Sequence, residues 1–275
     1  MFDRPEVSIS VLLEFTKLLS NSPVPIYSTI GNHDLFSYNL DTYERTSLCL
    51  LEMLVPQLQV YGIFRHRGYG INLPGERVWI TFEPYTSKMD IGGYGYGQQL
   101  DPPNDRWLRI HVAHGLLLDH VPPFDRYTLV QDVETNADII LTGHCHTGYG
   151  VYKRKDGKVF CNPGSLLRSS ASTEALERAI QVAVIDTETR DIELVPLKCA
   201  KPGNEVLDRS KIEADDRREY AMSEFAALIQ TGTGEKAVVP INDIVETIAK
   251  QEGLPVEVIQ KALEKIEEMK GMIAP

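Results

Sequence analysis

A mixed α/β fold is predicted for this 275-residue chain, and three observations predict it. Short apolar runs recur over roughly the first 200 residues, each closed by a turn rich in Gly, Pro, Asn or Asp. Early in the chain these runs alternate with segments whose apolar residues return at helical spacing, the pattern of βα units and a parallel sheet. Later they come in pairs joined by tight turns such as Asp156-Gly157, the pattern of antiparallel hairpins. Parallel units and hairpins in one domain make a mixed sheet.

The elements follow in order. Residues 7–20 read as a helix, because Val11, Leu12, Phe15, Leu18 and Leu19 share one face and Pro23 and Pro25 close it. Residues 24–30 are a strand ending at Gly31. Residues 41–54 read as one helix, with Asp41 or Thr42 as N-cap and Pro56 as its stop. Strands are expected at 58–61, 69–72 and 77–82. The stretch 83–105 has loop composition, with Gly92-Gly93-Tyr94-Gly95-Tyr96-Gly97 at its centre, and a loop of that length is often functional. Apolar strands at 107–113 and 137–142 end at His114 and Gly143. Strand pairs 149–153 with 158–161 and 179–186 with 191–197 complete the domain. Beyond about residue 203 the chain turns helical, at 211–228, 241–251 and 255–270, with Pro255 in a first turn. The expected division is a domain over 1–203 and a helical region over 204–275.

Composition narrows the function. The net charge is −11, with 43% hydrophobic and 24% charged residues. A stand-alone nucleic-acid binder carries a basic face, so this balance excludes tight unaided binding to DNA. Cys49, Cys145, Cys161 and Cys199 show no Cys-x-x-Cys spacing, which fits free thiols in a reducing compartment. No apolar run is long enough for a bilayer and no secretory leader is recognisable. A cytoplasmic location without membrane contact is therefore the expectation.

Chemistry concentrates in three glycine-bearing turns: Gly31-Asn32-His33-Asp34, His114-Gly115 and Gly143-His144-Cys145-His146. Each follows an apolar strand, so one sheet edge can gather them. Asn32 offers an amide oxygen, and His114, His144 and His146 offer imidazole nitrogens. That donor set suits a hard-to-borderline divalent cation with room for water, and hence phosphate-ester chemistry. Alternation places His144 and His146 on one side of an extended turn, with Cys145 on the other. His33 is a candidate general acid, and Asp34 could fix its tautomer. His111 faces away from His114 and reads as a packed residue. A tetrahedral zinc site using Cys145 and Cys161 is the rival for the metal, unsupported by spacing. In Asn162-Pro163-Gly164-Ser165-Leu166-Leu167-Arg168, the N–H groups of Gly164 and Ser165 are candidate phosphate donors, and Arg168 a candidate phosphate contact. Lys153, Arg154, Lys155 and Lys158 form a basic hairpin, read either as a nucleic-acid contact or as a solvated tip. Tyr85, Tyr94 and Tyr96 are candidate base-stacking rings, with an ordinary loop as the alternative.

These turns, in this order, resemble those of calcineurin-like metallophosphoesterases, over roughly residues 1–200. Within that family, Asn162-Pro163-Gly164-Ser165 and the helical tail look most like SbcD-type DNA repair exonuclease subunits of bacteria and phages. The resemblance implies a four-layer α/β sandwich with two divalent metal ions, manganese foremost, with iron, zinc or magnesium as alternatives. It implies that Asn32, His114 and His144 bind the second metal, that His146 binds the first, and that His33 assists the leaving group. It further implies DNA as substrate, an SbcC-type ATPase subunit as partner and an oligomeric assembly.

The sequence departs from the family at its start. Members begin with an Asp-x-His strand and then Gly-Asp-x-x-Asp. Met1-Phe2-Asp3 matches only the end of the second motif, with Asp3 its last aspartate. The expectations are a sandwich lacking its first strands, an incomplete first metal site, an exposed sheet edge and a longer gene product. A small-molecule or cyclic-nucleotide phosphodiesterase, and a scaffold of the same fold with impaired catalysis, stand as alternatives.

Overall fold

The computed structural model describes residues 1–62, 68–73, 76–97, 107–168, 170–208, 210, 245, 249 and 254–273. The helices expected at 211–228 and 241–251 lie outside the described residues, apart from Val245 and Ala249. The chain divides into two compact units, Met1–Leu207 and Asp208–Pro275. In the second, a helix runs over Val256–Ile273 just after Pro255, as a first-turn proline favours.

The first unit opens with helix α1 (Ile9–Ser20), strand β1 (Ile26–Thr29), helix α2 (Ser47–Leu54) and strand β2 (Leu58–Tyr61), with β1 and β2 parallel. Helix α1 starts two residues later than its apolar pattern, because Val7 N–H donates to Ser47 Oγ and Ser8 Oγ caps Val11 N–H. The single helix expected over 41–54 is divided. Thr42 Oγ1 donates to the Asn39 carbonyl and accepts from Phe36 N–H, which holds Leu40–Arg45 in a 3-10 turn. Thr46 then caps α2 through Cys49 N–H. Hydroxyl groups competing for backbone partners override helical spacing here. Leu12, Ile30, Leu35, Tyr43, Leu48, Leu51, Leu58 and Val60 pack into one core. Glu52 joins α2 to β2 by accepting from Tyr43 O–H and Val60 N–H.

A six-stranded sheet follows, built from β3 (Gly68–Leu73), β4 (Glu76–Glu83), β5 (Leu108–Ala113), β8 (Ile139–Thr142), β9 (Gly150–Lys153) and β10 (Val159–Asn162). Its order is β3-β4-β5-β8-β10-β9. The four inner strands are parallel and the two edges antiparallel, so the fold is mixed α/β with a mainly parallel sheet. Two-residue strands β6 (Leu117–Leu118) and β7 (Thr128–Leu129) pair in parallel beside it. The inner strands are nearly continuous apolar runs because both faces are covered. Ile139 and Val159 join the core on one face, while Ile140 and Phe160 join the core on the other. Each fully buried side chain of this size contributes about 1.5–3 kcal/mol.

Hairpin β9–β10 turns at Asp156-Gly157, with Gly157 at φ 86° and Arg154 N–H donating to the Lys158 carbonyl. A short helix α3 (Thr173–Glu177), hairpin β11 (Gln181–Ile185) and β12 (Ile192–Pro196), and the turn α4 (Gly203–Val206) close the unit. Composition did not signal α3, α4, β6 or β7, all too short for periodicity to register.

The described part of the Gly/Tyr segment is packed rather than loose. Met89 and Tyr96 are fully buried. Buried Asp90 accepts from Tyr96 O–H, Leu116 N–H and Thr128 O–H, and Tyr94 O–H donates to Glu83. Tyr96 is therefore a core residue, unable to stack on a base. Burial beside the Asp90 carboxylate drives its phenol well above the usual range.

His111 sits in the same wall, with Nε2 donating to the Gly95 carbonyl and Nδ1 accepting from Thr81 O–H. Burial holds its pKa below the ordinary 6.5. The folded state therefore favours neutral imidazole, and its contribution to stability is present above pH 6.5 and lost as pH falls below it. Denaturant titrations between about pH 7 and pH 5 are expected to show stability falling by up to 1.4 kcal/mol per pH unit from this group. His111→Gln, which retains a donor toward Gly95, is expected to reduce the slope by this group's share, the other buried histidines keeping theirs.

Candidate active site

Asn32, His114 and His144 stand just beyond the C-terminal ends of β1, β5 and β8, the edge at which parallel strands present ligand sites. Tyr85 N–H donates to the Ile30 carbonyl, which ties the β1 end to the main sheet. His114 Nε2 lies 3.0 Å from Asn32 Oδ1. His144 Nδ1 lies 3.2 Å from the same oxygen and 3.4 Å from His114 Nε2. Three donors thus form a nearly equilateral triangle. Separations of this size are the edges of a coordination polyhedron whose bonds are about 2.1 Å. The residues present therefore fit one divalent cation with an amide oxygen and two imidazole nitrogens.

Local chemistry explains why each side chain is there. A Cβ on Gly31 would lie 2.9 Å from His114 Cε1, and one on Gly143 would lie 3.2 Å from His114 Nδ1. The two motif glycines thus make the slot that the His114 ring fills. His144 takes φ 74°, and Cys145 N–H bonds to the Gly143 carbonyl across it. This is a left-handed γ-turn, a strained conformation for a residue with a Cβ. The strain aims Nδ1 into the triangle, and strain of this kind concentrates at functional sites. Tyr85 stacks on His144, with centroids 5.8 Å apart and planes at 20°, and meets His114 edge-on at 6.3 Å.

Electrostatics suit ligation. Burial, followed by the neighbouring His144, drives the His114 pKa down to about 3. Burial also lowers His144 and His146. Neutral imidazoles bind metal without first releasing a proton.

The other expected residues are placed differently. His146 is exposed, with its ring 6.3 Å from that of exposed His33, and it is near enough to His114 and His144 to help lower both. Among the described residues, no group of three His, Cys, Asp or Glu side chains is gathered closely enough for a metal; the triangle qualifies through the Asn32 amide. Asp34 does not orient His33. It is buried, and its carboxylate accepts from Gly31 N–H, Phe2 N–H and the Met1 amino group. Its proximity to the backbone amides it can bridge outweighs any reach toward an exposed ring. Asp3 lies on the surface, paired with Arg4.

The Asn162–Ser165 turn also corrects its expectation. Gly164 N–H donates to Asn162 Oδ1 and Ser165 N–H to the His146 carbonyl, so neither is turned to a phosphate. Asn162 Nδ2 donates to the Cys145 carbonyl, and Arg178 donates to the Ser165 and Leu167 carbonyls. The turn is a clamp on the histidine loop. Arg178 was not suggested by any motif, since its role depends on two distant carbonyls. Arg168 donates to the Arg178 carbonyl and borders a cavity of about 460 Å³ with Arg178 and Lys201. The basic hairpin serves the fold: Lys153 pairs with Asp191, Lys158 donates to the Ala137 carbonyl, and Arg154 caps two carbonyls over the Phe160 ring. All four cysteines are free thiols. Burial pushes Cys161 up to about 11, and among the described residues Cys145 and Cys161 do not gather with histidines into a group of three donors, so the tetrahedral zinc site is not assembled.

The family model for calcineurin-like phosphoesterases matches residues 1–148, so the chain belongs to that family. Its members are metal-dependent phosphoester hydrolases and generally bind divalent metals. No curated protein matches significantly. Among solved structures, one is 15% identical with a TM-score of 0.40, covering 68% of this chain and 72% of its own; a likeness at that level carries no argument. No helix among the described residues is long and apolar enough to cross a membrane.

Proposed function

We propose that this protein is a two-metal phosphodiesterase acting on DNA ends, an SbcD-type nuclease subunit of the cytoplasm. The observation that carries the reading is the triangle of Asn32 Oδ1, His114 Nε2 and His144 Nδ1. A divalent cation held there, manganese foremost, supplies a Lewis acid and a nucleophilic water at neutral pH. The chain's own residues do the remainder. Asn32 and the two histidines would hold the cation, and Tyr85 holds the His144 plane. His33, exposed beside His146, is the group that would protonate a leaving alkoxide. His146, beside it, is the donor this chain offers to a second ion.

The acidic net charge supports a subunit that borrows positive potential from an ATPase of the SbcC type within an oligomeric assembly. The amphipathic pattern of Val256–Ile273 offers an apolar face for docking. The four-layer sandwich and the helical C-terminal region belong to the same reading.

A second reading has an observation of its own. The triangle holds no carboxylate, its donors being Asn32, His114 and His144. That favours a one-metal protein of the same fold with weak hydrolysis. Assays with manganese on bis(p-nitrophenyl) phosphate, cyclic nucleotides and linear or hairpin DNA decide among these. Release of nucleotides from DNA ends supports the nuclease. Turnover confined to the small esters supports a small-molecule phosphodiesterase. Metal binding with no turnover supports the scaffold.

A further inference from the structure

We infer that Tyr38 is a stacking platform for the nucleobase next to the phosphate held at the triangle. The inference rests on the phosphodiesterase reading and adds the chemical class of group that the site grips beside the reacting ester. Tyr38 is 55% exposed, yet its ring is not loose on the surface. It meets Tyr85 in a T-shaped contact at 6.1 Å, and Tyr85 in turn stacks on His144 at 5.8 Å. Two ring contacts therefore connect an exposed aromatic face to a donor of the triangle.

The backbone holds that ring out at a cost. Ser37 and Tyr38 both adopt left-handed conformations, at φ 50° and 58°, which residues with a Cβ avoid unless the surroundings impose them. Thr42 imposes them: its hydroxyl bonds Phe36 N–H and the Asn39 carbonyl, closing the loop on both sides of Tyr38. A large apolar ring kept in water by a strained and tethered loop contributes little to the core. At the rim of a phosphate site, its exposed face suits the π-face of a base, which every nucleotide carries. The other tyrosines near the site do not offer this: Tyr96 is buried, and Tyr94 is bonded to Glu83.

The test is equilibrium binding of thymidylate and of inorganic phosphate to the full chain with manganese present. Wild-type protein is expected to bind thymidylate more tightly than phosphate. Tyr38→Ala is expected to weaken thymidylate by about tenfold and leave phosphate unchanged, while Tyr38→Phe keeps both wild-type affinities. Thr42→Val, which frees the loop without removing the ring, is expected to show a smaller loss for thymidylate alone. Unchanged thymidylate binding in Tyr38→Ala, or equal losses for both ligands, overturns the stacking role while leaving the phosphodiesterase reading in place. Failure of the wild-type protein to bind either ligand overturns both.

Discussion

Replacing His114 by alanine is expected to lower manganese affinity on the order of 100-fold or more, and phosphodiester hydrolysis with it. The ring sits half-buried between Gly31 and Gly143 and points Nε2 at both other donors. His111 cannot take its place, being committed to Thr81 and Gly95 on the other side of the strand. Loss even of groups that only support a ligand costs 10–100-fold in affinity, so loss of the ligand itself sets a higher floor. Gly31→Ala isolates geometry from chemistry. Its Cβ would stand 2.9 Å from His114 Cε1 and 3.1 Å from Nε2, which tilts the ring while retaining it. An intermediate loss, roughly tenfold, is expected there, because a ligand must be held within about 0.5 Å of its productive position. Calorimetric titration with manganese measures both. Wild-type affinity in His114→Ala would remove the basis for assigning the triangle to a metal.

Gly148→Ala is expected to give the largest loss of stability, about 3–5 kcal/mol and a fall in Tm of roughly 10 °C. Gly148 has φ 69°, and a Cβ there would sit 2.5 Å from Gly164 N and 2.6 Å from the Asn162 carbonyl oxygen. Those are backbone atoms on the far side of the clamp, which cannot rotate away as a side chain can. Relief requires the histidine loop and the Asn162–Ser165 turn to part, which breaks the bond from Ser165 N–H to the His146 carbonyl. Gly157→Ala is the control, since its φ of 86° carries the same backbone penalty but nothing lies within 4 Å. Thermal unfolding of the two variants separates collision from conformational preference. Equal losses in the two would mean that the clamp is not packed as described.

Much of the strand framework was legible because buried parallel strands are predominantly apolar. The segments Leu108–Ala113, Ile139–Thr142 and Val159–Asn162 keep that character despite Arg109 and His111 in the first. The divided helix at 40–54 was not legible. The turns change where Thr42 bonds back to Phe36 and Asn39 and where Ser47 accepts from distant Val7 N–H, choices among hydroxyl partners that apolar spacing does not encode. The Gly/Tyr segment was misjudged for a related reason. Its composition is that of a loop, and its order comes from the single buried carboxylate of Asp90 and its three donors.

By itself the sequence determined the chemistry available: an amide and imidazoles, each carried at the end of an apolar strand beside a glycine. It determined this because strand and turn propensities are local and side-chain donor types are intrinsic. Only the tertiary structure decided which of those groups meet. Asn32, His114 and His144 come within 3.4 Å of one another, whereas His146 stays at the surface and Asp34 turns inward to backbone amides. The physical reason is that convergence depends on sheet order, on ring slots opened by missing Cβ atoms and on a left-handed turn at His144, and none of these is a property of a residue alone.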